Sequence, residues 1–233
     1  MKSLLIFSFF CICCILASPH AKRTSEQYTE KGSSLYEDLW KMNFNIVKDT
    51  LQTKFLQRMQ DGSLPAELYL TFIVQDLYYL RNVTDMLQKM SMKEGMPQDL
   101  RLFFENRFKS YQAYTNSLFN MYALENQTII HPQPAIVSYV NTYHEVMQGY
   151  EPIYFAVALL PCARLWAYLG QNLSITQKNA YYSFKRDNDG HDPSKHFKSL
   201  LDGHQRKIDK HLANSIFRKQ MENEKSFFQS SMP

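Results

Sequence analysis

Cysteine is scarce in this chain. Of its four, Cys11, Cys13 and Cys14 share an N-terminal apolar stretch, and Cys162 stands alone in everything that follows. Disulfides need cysteines in pairs, so the body of the protein has no internal disulfide framework. A single thiol is then either a small buried hydrophobe or a working nucleophile. Glycine is also rare, seven in 233 residues, and runs of β-branched residues are short, which argues against sheet. Leu, Met, Phe, Tyr, Lys and Gln are plentiful instead. No Gly/Ser or Pro-rich linker and no internal repeat divides the chain. The 26 basic residues against 22 acidic ones give a formal net charge of +4, or +3 without Lys2. The two signs are interspersed apart from modest basic clustering toward the C-terminus, so the sequence offers no nucleic-acid footprint. Beyond the N-terminal stretch, the longest apolar run is Ile153 to Leu160, well short of the roughly 20 residues a membrane span needs. Composition therefore describes one soluble, all-helical domain.

The N-terminal stretch reads as an export signal. Lys2 supplies the positive start, Leu4 to Leu16 the apolar run, and Ala17 and Ser18 the small residues of a cleavage point. Cutting after Ala17 is preferred, since cutting after Ser18 would leave Pro19 first. This divides the chain into a signal peptide (1–17), a lead (18–32) and a helical domain (33–233), and predicts a secreted protein. Three glycosylation triplets agree, at Asn82, Asn126 and Asn172. Asn126 and Asn172 fall where helices end, whereas Asn82 lies within one.

Apolar spacing predicts seven to eight helices. The first covers 33–60, with Leu35, Leu39, Met42, Ile46, Val47, Leu51, Phe55 and Met59 on its buried face, and Asp61-Gly62 ends it. Pro65 opens the second, which runs to Met90. The third spans 98–124 and the fourth 135–148, on either side of a loop at 126–134. The fifth, 151–169, is apolar nearly all round and belongs in the centre of a bundle. Its interior Pro161 predicts a kink next to Cys162. A short sixth helix at 175–185 precedes a loop at 186–194. The remainder is helical to Met232, with a break near Ala213 or Asn214.

Three constellations carry chemistry. On the second helix, Phe72, Asp76 and Tyr79 share one face, so Asp76 is either an edge carboxylate or one turned inward, where burial demands a partner. Ser138-Tyr139 follows on the fourth helix. At the C-terminus Glu224, Phe227, Phe228 and Ser231 fall at i, i+3, i+4 and i+7, which puts an acid on an aromatic face.

Taken in order, these pieces resemble the TenA family, also called thiaminase II, of the haem-oxygenase-like helical fold. The resemblance begins at Asp61-Gly62-Ser63-Leu64-Pro65 and passes through Gln75-Asp76 with Tyr78-Tyr79-Leu80. Ser138-Tyr139 and Leu159-Leu160-Pro161-Cys162 come next, and Glu224 with Phe227-Phe228 closes it. It implies an all-α bundle in which Cys162 is the nucleophile toward an aminopyrimidine ring and Glu224 the general acid/base. Asp76 would hold the ring's amino group and nitrogen, while Tyr79 and Tyr139 shape the pocket. A thiol is a good nucleophile for an electron-poor ring, and protonating a ring nitrogen makes that ring more electrophilic. One element departs from the family. The pocket tyrosine expected on the sixth helix is replaced at Phe184-Lys185-Arg186-Asp187-Asn188, so Asn188 takes that place or Tyr181 or Tyr182 substitutes. Phe228 stands as a further pocket residue.

The resemblance implies a small-molecule partner, thiamine or an aminopyrimidine, and no cofactor. It also raises a homo-oligomer, since the family often forms tetramers. A haem enzyme would want an early histidine, and only His20 precedes His131. A ferritin-like di-metal site would want Glu-x-x-His, which is missing. Asp187 with His191, and Asp192 with His196, have the right spacing for metal ligands but sit in a predicted loop. The favoured reading is cleavage of thiamine between pyrimidine and thiazolium, with the pyrimidine passed to water or another nucleophile. An aminopyrimidine aminohydrolase is the alternative, and a non-catalytic thiamine carrier the alternative from another class. The carrier would not need Cys162 and Glu224 together.

Overall fold

The computed structural model describes residues 34–124 and 130–232. The expected signal peptide and lead, and Asn126, lie outside the described residues. Among the described residues every regular element is helical, and there are ten helices rather than seven or eight: α1 (Leu35–Met42), α2 (Phe44–Leu51), α3 (Lys54–Asp61), α4 (Ala66–Ser91), α5 (Gln98–Met121), α6 (Pro134–Gly149), α7 (Pro152–Asn172), α8 (Tyr182–Asn188), α9 (Ser194–His204) and α10 (Lys210–Ser230).

The extra helices come from the first segment, and a second correction moves a break without adding a helix. The single helix expected over 33–60 is three. Asn43 breaks it by donating its amide to the Leu39 carbonyl and to Asn214 Oδ1, both at 2.8 Å, and Thr53 is extended. The predicted break near Ala213 and Asn214 lies earlier instead. Asp209 caps α10 by accepting from the N–H groups of His211 and Leu212, so Ala213 and Asn214 are inside the helix. Likewise the expected helix at 175–185 is mostly turns, and α8 extends to Asn188, leaving 189–193 as the loop.

Punctuation in the sequence accounts for most other boundaries. Gly62 ends α3 at φ 82°, a left-handed conformation that glycine adopts without strain. Pro134 and Pro152 occupy first-turn positions, where a missing N–H costs nothing. α7 is the central helix and packs against α6, α8, α9 and α10. It is long and apolar enough to cross a membrane, but most of it is buried inside the bundle. It continues through Pro161, whose ring deprives the Val157 carbonyl of its helical donor. Phe155, wholly buried, packs between Phe104 at 5.8 Å and Tyr143 at 6.0 Å. Truncating such a ring costs about 3–5 kcal/mol.

Two further contacts position the site. α5 returns along α4 as an antiparallel hairpin: Arg101 bonds the Ser91 carbonyl near the turn, and Tyr111 lies opposite Tyr79 further along. At the other side of α7, a Cβ on Gly170 would come within 2.5 Å of the Asn188 carbonyl carbon. Only glycine lets α8 end this close to α7.

Candidate active site

Cys162 opens onto a cavity of about 520 Å³ between α4, α5, α7 and the segment from Asp187 to Phe197. Asp76 and Tyr79 line it from α4, Tyr111 and Tyr114 from α5, and Trp166 from the turn of α7 after the cysteine. Cys162 is partly exposed there.

Glu224 lies behind this wall, 1% exposed. Its Oε1 accepts from the Tyr139 hydroxyl at 2.5 Å and its Oε2 from the Trp166 indole N–H at 3.1 Å. It also lies close enough to Cys162 for each group to act on the other's proton affinity. Burial raises the Glu224 pKa, and the neighbouring Tyr139, Trp166 and Cys162 pull against that rise. The Cys162 thiol is pushed well up, first by burial and next by the Glu224 charge, while the neighbouring Tyr79 works the other way. Cys162 therefore rests as a thiol, and attack requires the proton to leave as the new bond forms. The carboxylate beside it is placed to take that proton.

Three tyrosines brace the arrangement. Tyr79 and Tyr143 share a hydroxyl contact of 3.0 Å, and Tyr139 and Tyr143 one of 3.4 Å. The Tyr79 ring stacks on Tyr139 at 4.9 Å. Asp76 is different. It is buried, and among the described residues no group hydrogen-bonds its carboxyl. Burial, and then the nearby Glu224 charge, pushes its pKa up to about 8. A neutral carboxyl here can both donate and accept, the pattern that an amino group next to a ring nitrogen needs.

The sequence-predicted residues thus fall into three groups. Cys162, Asp76, Tyr79 and Asn188 line the cavity, and Glu224 and Tyr139 stand directly behind it. The other positions lie elsewhere. Tyr181 donates its hydroxyl to the Leu64 carbonyl and packs on Tyr69 at 4.8 Å, and neither it nor Tyr182 lines the cavity. Phe228 is fully buried at 5.7 Å from Trp166, as support rather than lining. Asn188 spends its amide on the Phe184 carbonyl at 2.8 Å. Asn172 is exposed at the end of α7, whereas Asn82 is half-buried and bonds the Tyr78 carbonyl.

Sequence reasoning did not single out Tyr111, Tyr114, Arg107 or Trp166. Trp166 follows Cys162 by four residues and so shares its face, a signal that was legible. Arg107, Tyr111 and Tyr114 have i, i+4, i+7 spacing, which resembles any packed stripe until the partner of α5 is known. Asp187, His191, Asp192 and His196 lie at the rim. Among the described residues no group of three or more His, Cys, Asp or Glu side chains is arranged to hold a metal ion.

An all-helical bundle with a thiol and a carboxylate at the base of an aromatic cavity is the class of protein that fold and site define. Residues 45–232 match the TENA/THI-4/PQQC family, and the chain belongs to it. No curated protein sequence matches. Among solved structures, a TenA homologue from Pyrococcus furiosus is similar at 20% identity and a TM-score of 0.72, covering 84% of this chain and 99% of its own. A protein described as a TenA-like thiaminase from Sulfolobus solfataricus is 20% identical with a TM-score of 0.67, covering 84% and 94%. A TenA family transcription regulator from a Silicibacter species is 15% identical with a TM-score of 0.71, covering 85% and 97%.

Proposed function

We propose that this protein is a secreted thiaminase, cleaving thiamine between its aminopyrimidine and thiazolium rings through Cys162. The observation that carries the reading is the close approach of Cys162 and the buried carboxylate of Glu224 at the base of a cavity that also holds the Asp76 carboxyl, which has no hydrogen-bond partner among the described residues. Family membership and the thiaminase-like neighbour support a thiamine-related enzyme.

The chemistry runs as follows. The Cys162 sulfur bonds a pyrimidine carbon while its proton passes to the Glu224 carboxylate, and neutral Asp76 delivers a proton to the ring nitrogen. The dearomatised ring then expels the thiazole, which leaves with the electrons of the broken C–N bond. Water or another nucleophile adds at the methylene carbon and loses a proton. Expulsion of the Cys162 sulfur, with loss of the ring-nitrogen proton, restores the aromatic ring. Tyr139 and Trp166 hold Glu224 ready for both directions of proton transfer, since each donates to one of its oxygens. Export rests on the pattern at Lys2 to Ser18, and recovery of the protein from culture medium with Ser18 first is its check.

Incubating the purified protein with thiamine and identifying products by mass spectrometry tests the activity. Free thiazole and a substituted pyrimidine are expected. Ammonia release from an aminopyrimidine, with thiamine left intact, would install the aminohydrolase instead. Ligand binding without any turnover would install the carrier.

A further inference from the structure

The cavity is electrically two-ended. Along α5, Tyr114 lies close enough to Asp76 and Asp187 for their charges to act on it, while Arg107 interacts with Tyr111 and with His196. Seven residues of helix separate Arg107 from Tyr114, roughly 10 Å at about 1.5 Å per residue. Asp76 therefore marks one end and Arg107 the other, with Cys162 between them beside Tyr111.

Arg107 is a cation with no counterion among the described residues. Its Nε is buried with no hydrogen-bond partner, and among the described residues its guanidinium pairs with no carboxylate. The rim acids are already engaged. Asp187 accepts from Arg186 at 2.7 Å, and Asp192 from the Ser194 hydroxyl and N–H at 2.6 and 3.1 Å. His196 adds a second nitrogen-bearing side chain beside Arg107, and both also line an adjoining surface hollow of about 370 Å³. An anion seated there could keep part of its hydration. Arg107 is half-buried with its Nε unsatisfied, and the open end of its guanidinium fork suits the oxygens of a phosphate.

We propose that Arg107, with His196 beside it, binds a phosphate monoester at the far end of the substrate, so that the enzyme prefers thiamine monophosphate to thiamine. This rests on the thiaminase reading. The aminopyrimidine occupies the Asp76 end, and the cationic thiazolium passes the faces of Tyr111 and Trp166. The phosphate then meets the only fixed cation lining the described cavity.

The test compares kcat/KM of the full chain for thiamine and thiamine monophosphate, with inorganic phosphate as competitor. A charge-assisted bidentate contact predicts a preference of at least about tenfold for the monophosphate, expressed in KM. Inorganic phosphate should inhibit monophosphate turnover more than thiamine turnover. In Arg107→Gln the preference ratio should collapse toward one, and in Arg107→Lys it should be partly restored. Circular dichroism confirms that each variant is folded. Equal use of both compounds by the wild-type protein, or a preference that survives Arg107→Gln, overturns the phosphate site alone. Activation of thiamine turnover by inorganic phosphate would overturn it in favour of a free oxyanion acceptor. Turnover of neither compound overturns the thiaminase reading, and this one with it.

Discussion

Replacing Glu224 by Gln should lower two measurable quantities together, the turnover rate and the pKa of the Cys162 thiol. The carboxylate accepts from Tyr139 and Trp166 and lies beside Cys162, and its charge is the second-largest cause, after burial, of the high thiol pKa. Gln is nearly isosteric but neutral, and one of its two positions becomes a donor. Turnover loses its proton acceptor and should fall by about 10²–10⁴-fold, the range for a positioned acid/base. The thiol, freed from the adjacent negative charge, should ionise more easily. Its pKa should drop while staying above that of an exposed cysteine, because burial is unchanged. Ultraviolet absorbance of the thiolate against pH reads this directly, with Cys162→Ser as the blank. A more acidic thiol in a nearly dead enzyme is the expected pair of results. An unchanged or higher thiolate midpoint with wild-type turnover would refute the proposed coupling between Cys162 and Glu224.

Three further outcomes follow from the same geometry. Asp76 is held neutral when folded, so the folded state binds the extra proton between the free-acid range near 3.8 and about 8. Stability should fall as pH rises through that window, by up to about 1.4 kcal/mol for each unit of pKa difference, then level off. Urea melts of Asp76→Asn across pH should flatten the slope, and a slope unaltered by the substitution would place the carboxyl in water. Gly170→Ala should destabilise the fold by about 1–3 kcal/mol, because the methyl collides with the backbone at Asn188 and Asp189, and thermal melts that match wild type would contradict it. Added amines or thiols should compete with water and give pyrimidine adducts, since Asn188 stands at the rim where an aromatic wall is expected; hydroxymethyl pyrimidine as sole product at every acceptor concentration would reject this.

What could be read from the sequence divides along a physical line. Gly62, Pro65, Pro134 and Pro152 act locally, so the ends of α3, α4, α6 and α7 fall within about a residue or two of where their chemistry puts them. The inward turn of Asp76 was one of two readings that spacing left open. Contacts between distant residues were not legible. Asn43 splits the first helix through Asn214, which lies 171 positions away, and no local pattern announces that pairing. Residues 175–188 were misplaced because Gly170 lets α8 dock where α7 would otherwise exclude it, a requirement set by the meeting of two helices. For the site, Cys162, the proposed nucleophile, was marked by being a lone thiol. Glu224 was marked by an acid on an aromatic face. Tyr111, Tyr114 and Arg107 were hidden because only the antiparallel register of α5 on α4 turns that particular stripe toward Cys162.

The central claim is that the pyrimidine passes through a covalent bond to Cys162. Rapid acid quenching during thiamine turnover, followed by peptide mass mapping, measures it directly. The account predicts a pyrimidine adduct on the peptide containing Cys162, accumulating at early times and lost when substrate is exhausted, with no adduct and no turnover in Cys162→Ser. Thiamine cleavage by the Cys162→Ser protein, with no modified peptide in the wild type, would contradict it.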